Sequence, residues 1–204
     1  MIKIYGSHRS SGGRCYITLE ECGLKYETVN IDMRAGQHKS PEYMKLNPNG
    51  KVPTMVDGDF VLWESMAIDR YLVEKYKPEL LGPTIEDRAL IEQWTIWAIA
   101  ELQPPLIDLL IQMAFVPEPK RDLALIEKSR AKLPGKLEVL DGALRNREYM
   151  VANYFSLADI NVASVANIGM SLGIDYSNYA SLTNWLSKMK ARPSFKKFEE
   201  KTGH

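Results

Sequence analysis

The chain has 204 residues, 45% of them hydrophobic, which suits one large or two small cores and excludes a disordered or fibrous protein. Its 26 basic and 26 acidic residues leave no net charge, so no basic field attracts a polyanion such as nucleic acid. The first fifteen residues lack the apolar stretch of a signal peptide, and the longest apolar runs are far short of a membrane span. We therefore expect a cytoplasmic protein that binds neither nucleic acid nor membranes.

Residues 1–77 alternate between extended and helical patterns. A short strand at the start is followed by a glycine- and serine-rich loop over 6–13, a helical pattern to Cys22 and a second strand over 26–31. Ser40, Pro41 and Glu42 are typical of a helix start, as N-cap, first-turn proline and first-turn acid. Residues 52–56 and 60–62 flank an Asp-Gly turn, which predicts a hairpin, and residues 65–76 follow as a helix. The predicted order is β-α-β-α-β-β-α.

A linker and a second, helical domain are predicted next. Residues 77–83 contain two prolines and a glycine, the composition of a linker. Thr84 and Asp87 then resemble a capping box that opens a helix, and later segments repeat helical spacing. The pair Pro104-Pro105 is expected to kink or end that helix. We predict an α/β domain over 1–77, a linker over 78–85 and an all-helical domain over 86–204.

The cysteines and histidines do not indicate a metal site or a disulfide. Cys15 and Cys22 are seven residues apart, a distance of roughly 10 Å along a helix, which is too long for a disulfide. We expect both thiols to be reduced and packed. His8, His38 and His204 share no metal-ligand spacing with cysteines or acids, so no metal is expected.

The loop over residues 47–53 is the first candidate for a binding function. Pro53 is either an ordinary loop proline after a trans bond or follows a cis Val52-Pro53 bond. Only about 5% of the bonds before proline are cis. A cis bond turns the Val52 backbone outward, where its N–H and C=O pair with an extended, peptide-like ligand as a sheet edge does. Both interpretations stay open from the spacing alone.

Two further segments are candidates for recognising charged groups. Glu64 ends a strand and Ser65 begins a helix, an arrangement that fits an amino acid head group, with the ammonium at Glu64 and the carboxylate at Ser65. The alternative is simple N-capping by Ser65. The loop over 6–14 places serine hydroxyls before the first helix, where one can donate to an anion such as a thiolate or only cap the helix. Ser156 and Asp159 are interpreted as a structural capping box.

Four motifs in order make the chain resemble a cytosolic glutathione transferase of the serine type, similar to bacterial, theta, phi or delta members, over essentially its whole length. They lie at residues 47–54, 63–68, 155–160 and 185–193. The resemblance implies a thioredoxin-like N-domain, an all-α C-domain and usually a homodimer. It also implies a detoxification enzyme that activates the glutathione thiol as thiolate for attack on small hydrophobic electrophiles, with glutathione as co-substrate and no other cofactor.

The resemblance also implies individual site residues. Serine-type members place the catalytic serine four residues before an arginine, here Arg14, which selects Ser10, with Ser11 one step away as the alternative. Tyr5 lies earlier than the tyrosine of tyrosine-type members, within the strand. Met66 stands where many serine-type members carry an arginine, so one contact to the γ-glutamyl group is absent. The residues implied for glutathione binding are Ser10, His38, Lys51, Val52, Pro53, Glu64 and Ser65, with Lys51 or His38 at the glycyl carboxylate.

The second substrate is expected between the two domains. Trp97, Glu101 and Pro105 recur at i, i+4 and i+8 and are candidates to line its pocket, with core packing as the alternative for Trp97. Two other functions stay open: a glutathione-dependent peroxidase, which needs no protein cysteine, and a non-catalytic module that binds glutathione or another ligand.

Overall fold

The computed structural model describes residues 1–8 and 12–202, which form two compact units. One contains the described residues of Met1–Leu80 and of Arg192–His204, and the other is Leu81–Ala191. The division falls inside the predicted linker, but the last residues group with the first unit and not with the predicted helical domain of 86–204. Arg192 and Ser194 explain this difference, because both bond the Glu21 carboxylate, at 2.8 Å from Arg192 Nε and 2.6 Å from Ser194 Oγ.

The first unit has the predicted order of strands and helices. Its elements are β1 (Ile2–Tyr5), α1 (Gly13–Glu21), β2 (Tyr26–Val29), α2 (Pro41–Leu46), β3 (Thr54–Asp57), β4 (Phe60–Trp63) and α3 (Ser65–Tyr76), with α9 (Pro193–Thr202) from the end of the chain. The strand order is β2-β1-β3-β4, with β1 and β2 parallel and the other pairs antiparallel. This confirms the thioredoxin-like fold class. Side chains of β1, α1, β3 and α3 form the core.

The second unit is helical. Its long elements are α4 (Ile85–Trp97), α5 (Gln103–Leu110), α6 (Leu123–Leu144), α7 (Leu157–Ser171) and α8 (Ala180–Lys190), with α4 and α5 packed on α7, and α5 and α8 on α6. The predicted capping boxes of Thr84 with Asp87 and Ser156 with Asp159 are both present. The Asp159 carboxylate is buried and also accepts from Met150 N and Trp185 Nε1, each at 2.9 Å, so it joins three segments.

Of the two predicted effects of Pro104-Pro105, the end of the helix is wrong, because the helical stretch continues through both residues. A π-helical turn, Ala98–Leu102, follows α4, and both prolines lie in the first turn of α5, where a backbone N–H is not needed. The helical stretch Ile85–Phe115 is therefore continuous, and by length and composition alone it could cross a membrane, a test that helices of soluble proteins also pass. Within the second unit, α4 packs on α7, and α5 packs on both α6 and α7. The stretch is therefore a packed part of the helical unit.

Candidate functional site

Strand register brings the candidate segments of the first unit to one end of the sheet. Thr54 pairs with both Tyr5 and Trp63, and Tyr5 also pairs with Val29. The loop after β1, the segment after β2, the loop before β3 and the turn after β4 consequently leave the sheet at the same end. The structure thus gathers Pro53, Glu64 and the segment that carries His38 around the start of α1.

The loop before β3 is held by hydrogen bonds to one carbonyl. The Val52-Pro53 bond is cis, which answers the question that the spacing left open. The Tyr43 hydroxyl donates to the Lys51 carbonyl at 2.6 Å, and Asn47 Nδ2 donates to the same oxygen at 2.8 Å. Tyr43 OH also lies 2.9 Å from the buried Thr54 Oγ1. The backbone next to Val52 is therefore fixed before any ligand binds.

A glycine lets the segment after β2 approach this loop closely. Gly50 has a φ of +56°, and a Cβ there would lie 2.8 Å from the His38 carbonyl oxygen. His38 is half-buried in the turn Gln37–Lys39, and Lys39 Nζ donates to the Asn49 carbonyl at 3.1 Å. Lys51 is exposed. Lys39 and Lys51 provide positive charge for a carboxylate at this end of the site.

The turn after β4 presents a carboxylate and a hydroxyl side by side. Glu64 is exposed and has a φ of +73°, a backbone conformation that is uncommon and costly outside glycine. Glu64 occupies the N-cap position of α3 without a side-chain cap bond, and Ser65 is the first helical residue, so simple N-capping by Ser65 is not what the structure shows. An amino acid head group is matched by the Glu64 charge and the Ser65 hydroxyl and N–H.

Two ionisable residues near Ser65 are buried: Arg14 on α1 and Asp69, one turn after Ser65 on α3. Arg14 Nη1 donates to Ser65 Oγ at 3.2 Å, and the Cys15 thiol donates to the Ser65 carbonyl at 3.5 Å. Burial raises the pKa of Asp69 to about 7, although the positive charge of Arg14 opposes that rise. Burial likewise lowers the pKa of Arg14 and raises that of the Cys15 thiol well above its ordinary value. Cys15 is accordingly a packed thiol and not a nucleophile.

The predicted nucleophile-activating residues, Ser10 and Ser11, lie outside the described residues. Before them in the chain, the Gly6 carbonyl accepts from Tyr16 OH at 2.7 Å, and the His8 ring stacks on Tyr16 at 3.7 Å. A Cβ at Gly13 would lie 2.9 Å from Phe198 on α9. Tyr5 is within β1, as predicted.

The three residues predicted for the second substrate belong to the helical unit, and their lining role stays a prediction. Trp97 is half-buried and meets Trp94 edge to face at 5.4 Å, Glu101 is exposed and paired with Lys136, and Pro105 is buried. The spacing i, i+4, i+8 marks one face only in a regular α-helix. The π-helical turn between Trp97 and Pro105 changes that spacing, and the three residues differ in exposure.

Sequence reasoning missed Arg14 as a contact of Ser65, and it missed Tyr43, Asn47 and Asp69. A signal existed for the two charged residues, because each shares a helix face with an apolar residue, Arg14 with Ile17 and Asp69 with Leu72. For Tyr43 and Asn47, the sequence offers no signal that their polar atoms share one carbonyl. Within residues 1–8 and 12–202, no three His, Cys, Asp or Glu side chains are grouped as metal ligands would be.

Comparisons with known proteins agree with this architecture. The family model for the glutathione S-transferase N-terminal domain matches residues 2–74, and that for the C-terminal domain matches residues 102–193. Glutathione S-transferase F9 of Arabidopsis thaliana is 37% identical, over 96% of this chain and 95% of the relative, and F10 of the same plant is 36% identical, over 98% and 97%. The structure of the theta class glutathione S-transferase from Xanthomonas axonopodis pv. citri with glutathione bound superposes with a TM-score of 0.90, at 32% identity, over 96% of this chain and 95% of that one.

Proposed function

Because the chain belongs to the glutathione S-transferase family, we propose that this transferase ionises the thiol of glutathione and directs the thiolate to small hydrophobic electrophiles. The observation that carries the proposal is the meeting, at one end of the sheet, of the Val52 loop, the Glu64-Ser65 turn and the start of α1. Together they match an extended tripeptide with a zwitterionic head and a second carboxylate.

Each part of glutathione has a partner of suitable chemistry at that end of the sheet. Glu64 binds the γ-glutamyl ammonium, and the Ser65 hydroxyl and N–H bind its α-carboxylate. The Val52 backbone pairs with the cysteinyl unit, and Pro53 directs that backbone. Lys51 or His38 binds the glycyl carboxylate.

Ser10, with Ser11 as the alternative, donates a hydrogen bond to the thiolate beside the N-terminus of α1. A thiol with a pKa near 8.5 is only a few per cent ionised at neutral pH, and each unit of lowering corresponds to about 1.4 kcal/mol. A charge-assisted hydrogen bond contributes about 1.5–3 kcal/mol and a helix N-terminus about 0.3–1 kcal/mol. Their combination is sufficient for a lowering of one to two units.

The remaining features of the proposal concern the second substrate and the state of the protein. Trp97, Glu101 and Pro105 contribute to the pocket for the electrophile. The protein acts as a homodimer in the cytoplasm. Support for these features comes from the match to the glutathione S-transferase family.

The test is conjugation of glutathione to 1-chloro-2,4-dinitrobenzene, together with retention on immobilised glutathione. Ser10→Ala is expected to lower kcat at least about 10-fold without loss of folding, as removal of a charge-assisted bond predicts. Ser187→Ala, an exposed serine on α8, is the matched control and retains activity. Full activity after both Ser10→Ala and Ser11→Ala would contradict the serine assignment. Glutathione binding without turnover of electrophiles or hydroperoxides would instead indicate a non-catalytic module, and turnover of hydroperoxides alone a peroxidase.

A further inference from the structure

A buried arginine determines what the Ser65 hydroxyl can do. Arg14 is only 4% exposed and Ser65 only 5% exposed, and Arg14 Nη1 donates to Ser65 Oγ at 3.2 Å. A guanidinium has donors and no acceptor, so this bond uses the hydroxyl as an acceptor. The hydroxyl proton of Ser65 is left to be donated to another group. At the first residue of α3, the N-terminal end of the helix favours a negatively charged acceptor.

We propose that Arg14 is a positioning residue for glutathione: by donating to Ser65 Oγ, it directs the Ser65 proton at the α-carboxylate of the γ-glutamyl group. This inference rests on the proposed function. Arg14 lies on α1 and reaches Ser65 across 51 positions of sequence. Met66, the residue after Ser65, carries no polar hydrogen and is buried, so recognition of the carboxylate depends more strongly on how Ser65 is oriented.

The surroundings of Arg14 are consistent with a role in the site beyond packing. Asp69 lies one helical turn after Ser65 on α3, is fully buried, and provides an opposite charge that favours the protonated form of Arg14. The Cys15 thiol donates to the Ser65 carbonyl at 3.5 Å and links α1 to α3, while the Thr18 hydroxyl donates to the Arg14 carbonyl at 3.1 Å within α1.

The experiment compares two ligands on the full chain by isothermal titration calorimetry. One ligand is glutathione, and the other is the analogue in which 4-aminobutyryl replaces the γ-glutamyl residue, so that only the α-carboxylate is missing. The variants are Arg14→Met, which removes the donor, and Arg14→Gln, which keeps a neutral donor. Arg70→Met is the matched control, because Arg70 is a half-buried arginine of α3 that pairs with Glu74 at 3.2 Å.

Arg14→Met is expected to raise the Kd for glutathione about 10-fold or more and the Kd for the analogue less than about 2-fold. Arg14→Gln should recover most of the glutathione affinity, and Arg70→Met should match the wild type. In conjugation assays, Arg14→Met should raise KM for glutathione and retain kcat at saturating glutathione. If Arg14→Met does not fold, the double variant Arg14→Met, Asp69→Asn removes both charges and carries the same comparison.

Two results would overturn the inference while leaving the proposed function intact: an unchanged Kd for glutathione in Arg14→Met, or equal weakening of both ligands. Equal weakening would mean that Arg14 acts only on the fold of the site. A wild-type protein that neither binds nor conjugates glutathione would overturn the proposed function, and the inference with it.

Discussion

Asp69 makes the stability of this protein depend on pH in a direction opposite to that of most carboxylates. It is fully buried between α1 and α3, and burial raises its pKa to about 7, against the opposing charge of Arg14. Near pH 5 the folded protein therefore holds a proton on Asp69 that the unfolded chain has lost. Because the folded state binds more protons, the free energy of unfolding falls as pH rises from about 4 to about 7, and the contribution is constant above that range.

The size of this contribution follows from the distance between the two pKa values. An ordinary aspartate titrates near 3.9, and each unit of difference corresponds to about 1.4 kcal/mol. A folded-state pKa of about 7 gives a loss of up to about 4 kcal/mol between pH 4 and pH 8. Asp69→Asn resembles the protonated aspartate, so the variant should match the wild type at pH 4 and exceed its stability progressively towards pH 8.

Urea denaturation at several pH values measures this effect as the difference between the variant and the wild type, in which the other titrating groups cancel. Asp59→Asn, in the exposed turn between β3 and β4, is the control and should follow the wild-type curve. Parallel curves for Asp69→Asn and the wild type would refute the reasoning. A variant that becomes relatively less stable as pH rises would show that the ionised Asp69 stabilises the fold through Arg14.

Three further predictions concern the loop before β3, the thiols and the helical unit. Tyr43→Phe removes the hydrogen bonds of Tyr43 to the buried Thr54 hydroxyl and to the Lys51 carbonyl. The free energy of unfolding, measured by urea denaturation, should fall by about 1–3 kcal/mol. KM for glutathione, measured by steady-state kinetics, should rise because the loop before β3 is held less firmly. Burial raises the pKa of Cys22 to about 12 and that of Cys15 well above its ordinary value, so neither thiol should react promptly with a disulfide reagent at pH 8, whereas both should react in urea. In Asp159→Asn, an NH₂ donor replaces the carboxylate oxygen that accepts from the Ser156 N–H at 2.9 Å and from the Ser156 hydroxyl at 3.0 Å. Chemical denaturation should show a free energy of unfolding lower by about 2–4 kcal/mol.

Each of these three has an outcome that would contradict it. An unchanged KM in Tyr43→Phe would mean that the Asn47 bond alone holds the loop. Rapid labelling of a thiol in the folded protein would show that its surroundings open readily. Wild-type stability of Asp159→Asn would show that the segments joined by Asp159 are held by their apolar contacts.

Most of the first unit could be predicted from the sequence because its signals are local. Ser40 and Pro41 predict the start of α2, and the structure has α2 beginning at Pro41 with Ser40 Oγ accepting from Tyr43 N. The Asp-Gly pair predicts the turn at residues 57–59, where Gly58 has a φ of +63°. Capping and turn formation depend on residues within four positions of one another, so spacing alone is sufficient to find them.

Local signals also identified the candidate binding residues Glu64, Ser65 and the loop over 47–53, but not the buried residues that bond to them. Glu64 and Ser65 were singled out because a strand ends and a helix begins there, and the loop over 47–53 because of its turn residues and proline. The sequence left the Val52-Pro53 isomer and the role of Ser65 open. Both depend on the neighbours that surround them in the folded unit, including Tyr43 for the loop and Arg14 for Ser65.

The sequence by itself determined the element order of the first unit, the helical character of the second and the capping boxes, since each follows from periodicity or from contacts within one turn. It also selected the candidate binding residues at the ends of the strands. Only the tertiary structure decided that the chain's end returns to α1 through Glu21 and Arg192, 171 positions apart. It also decided that the helical stretch continues through Pro104 after a π-helical turn, and that Arg14 donates a hydrogen bond to Ser65. These outcomes depend on how helices pack side by side, and residue spacing along one helix contains no information about which side chain its neighbour will present.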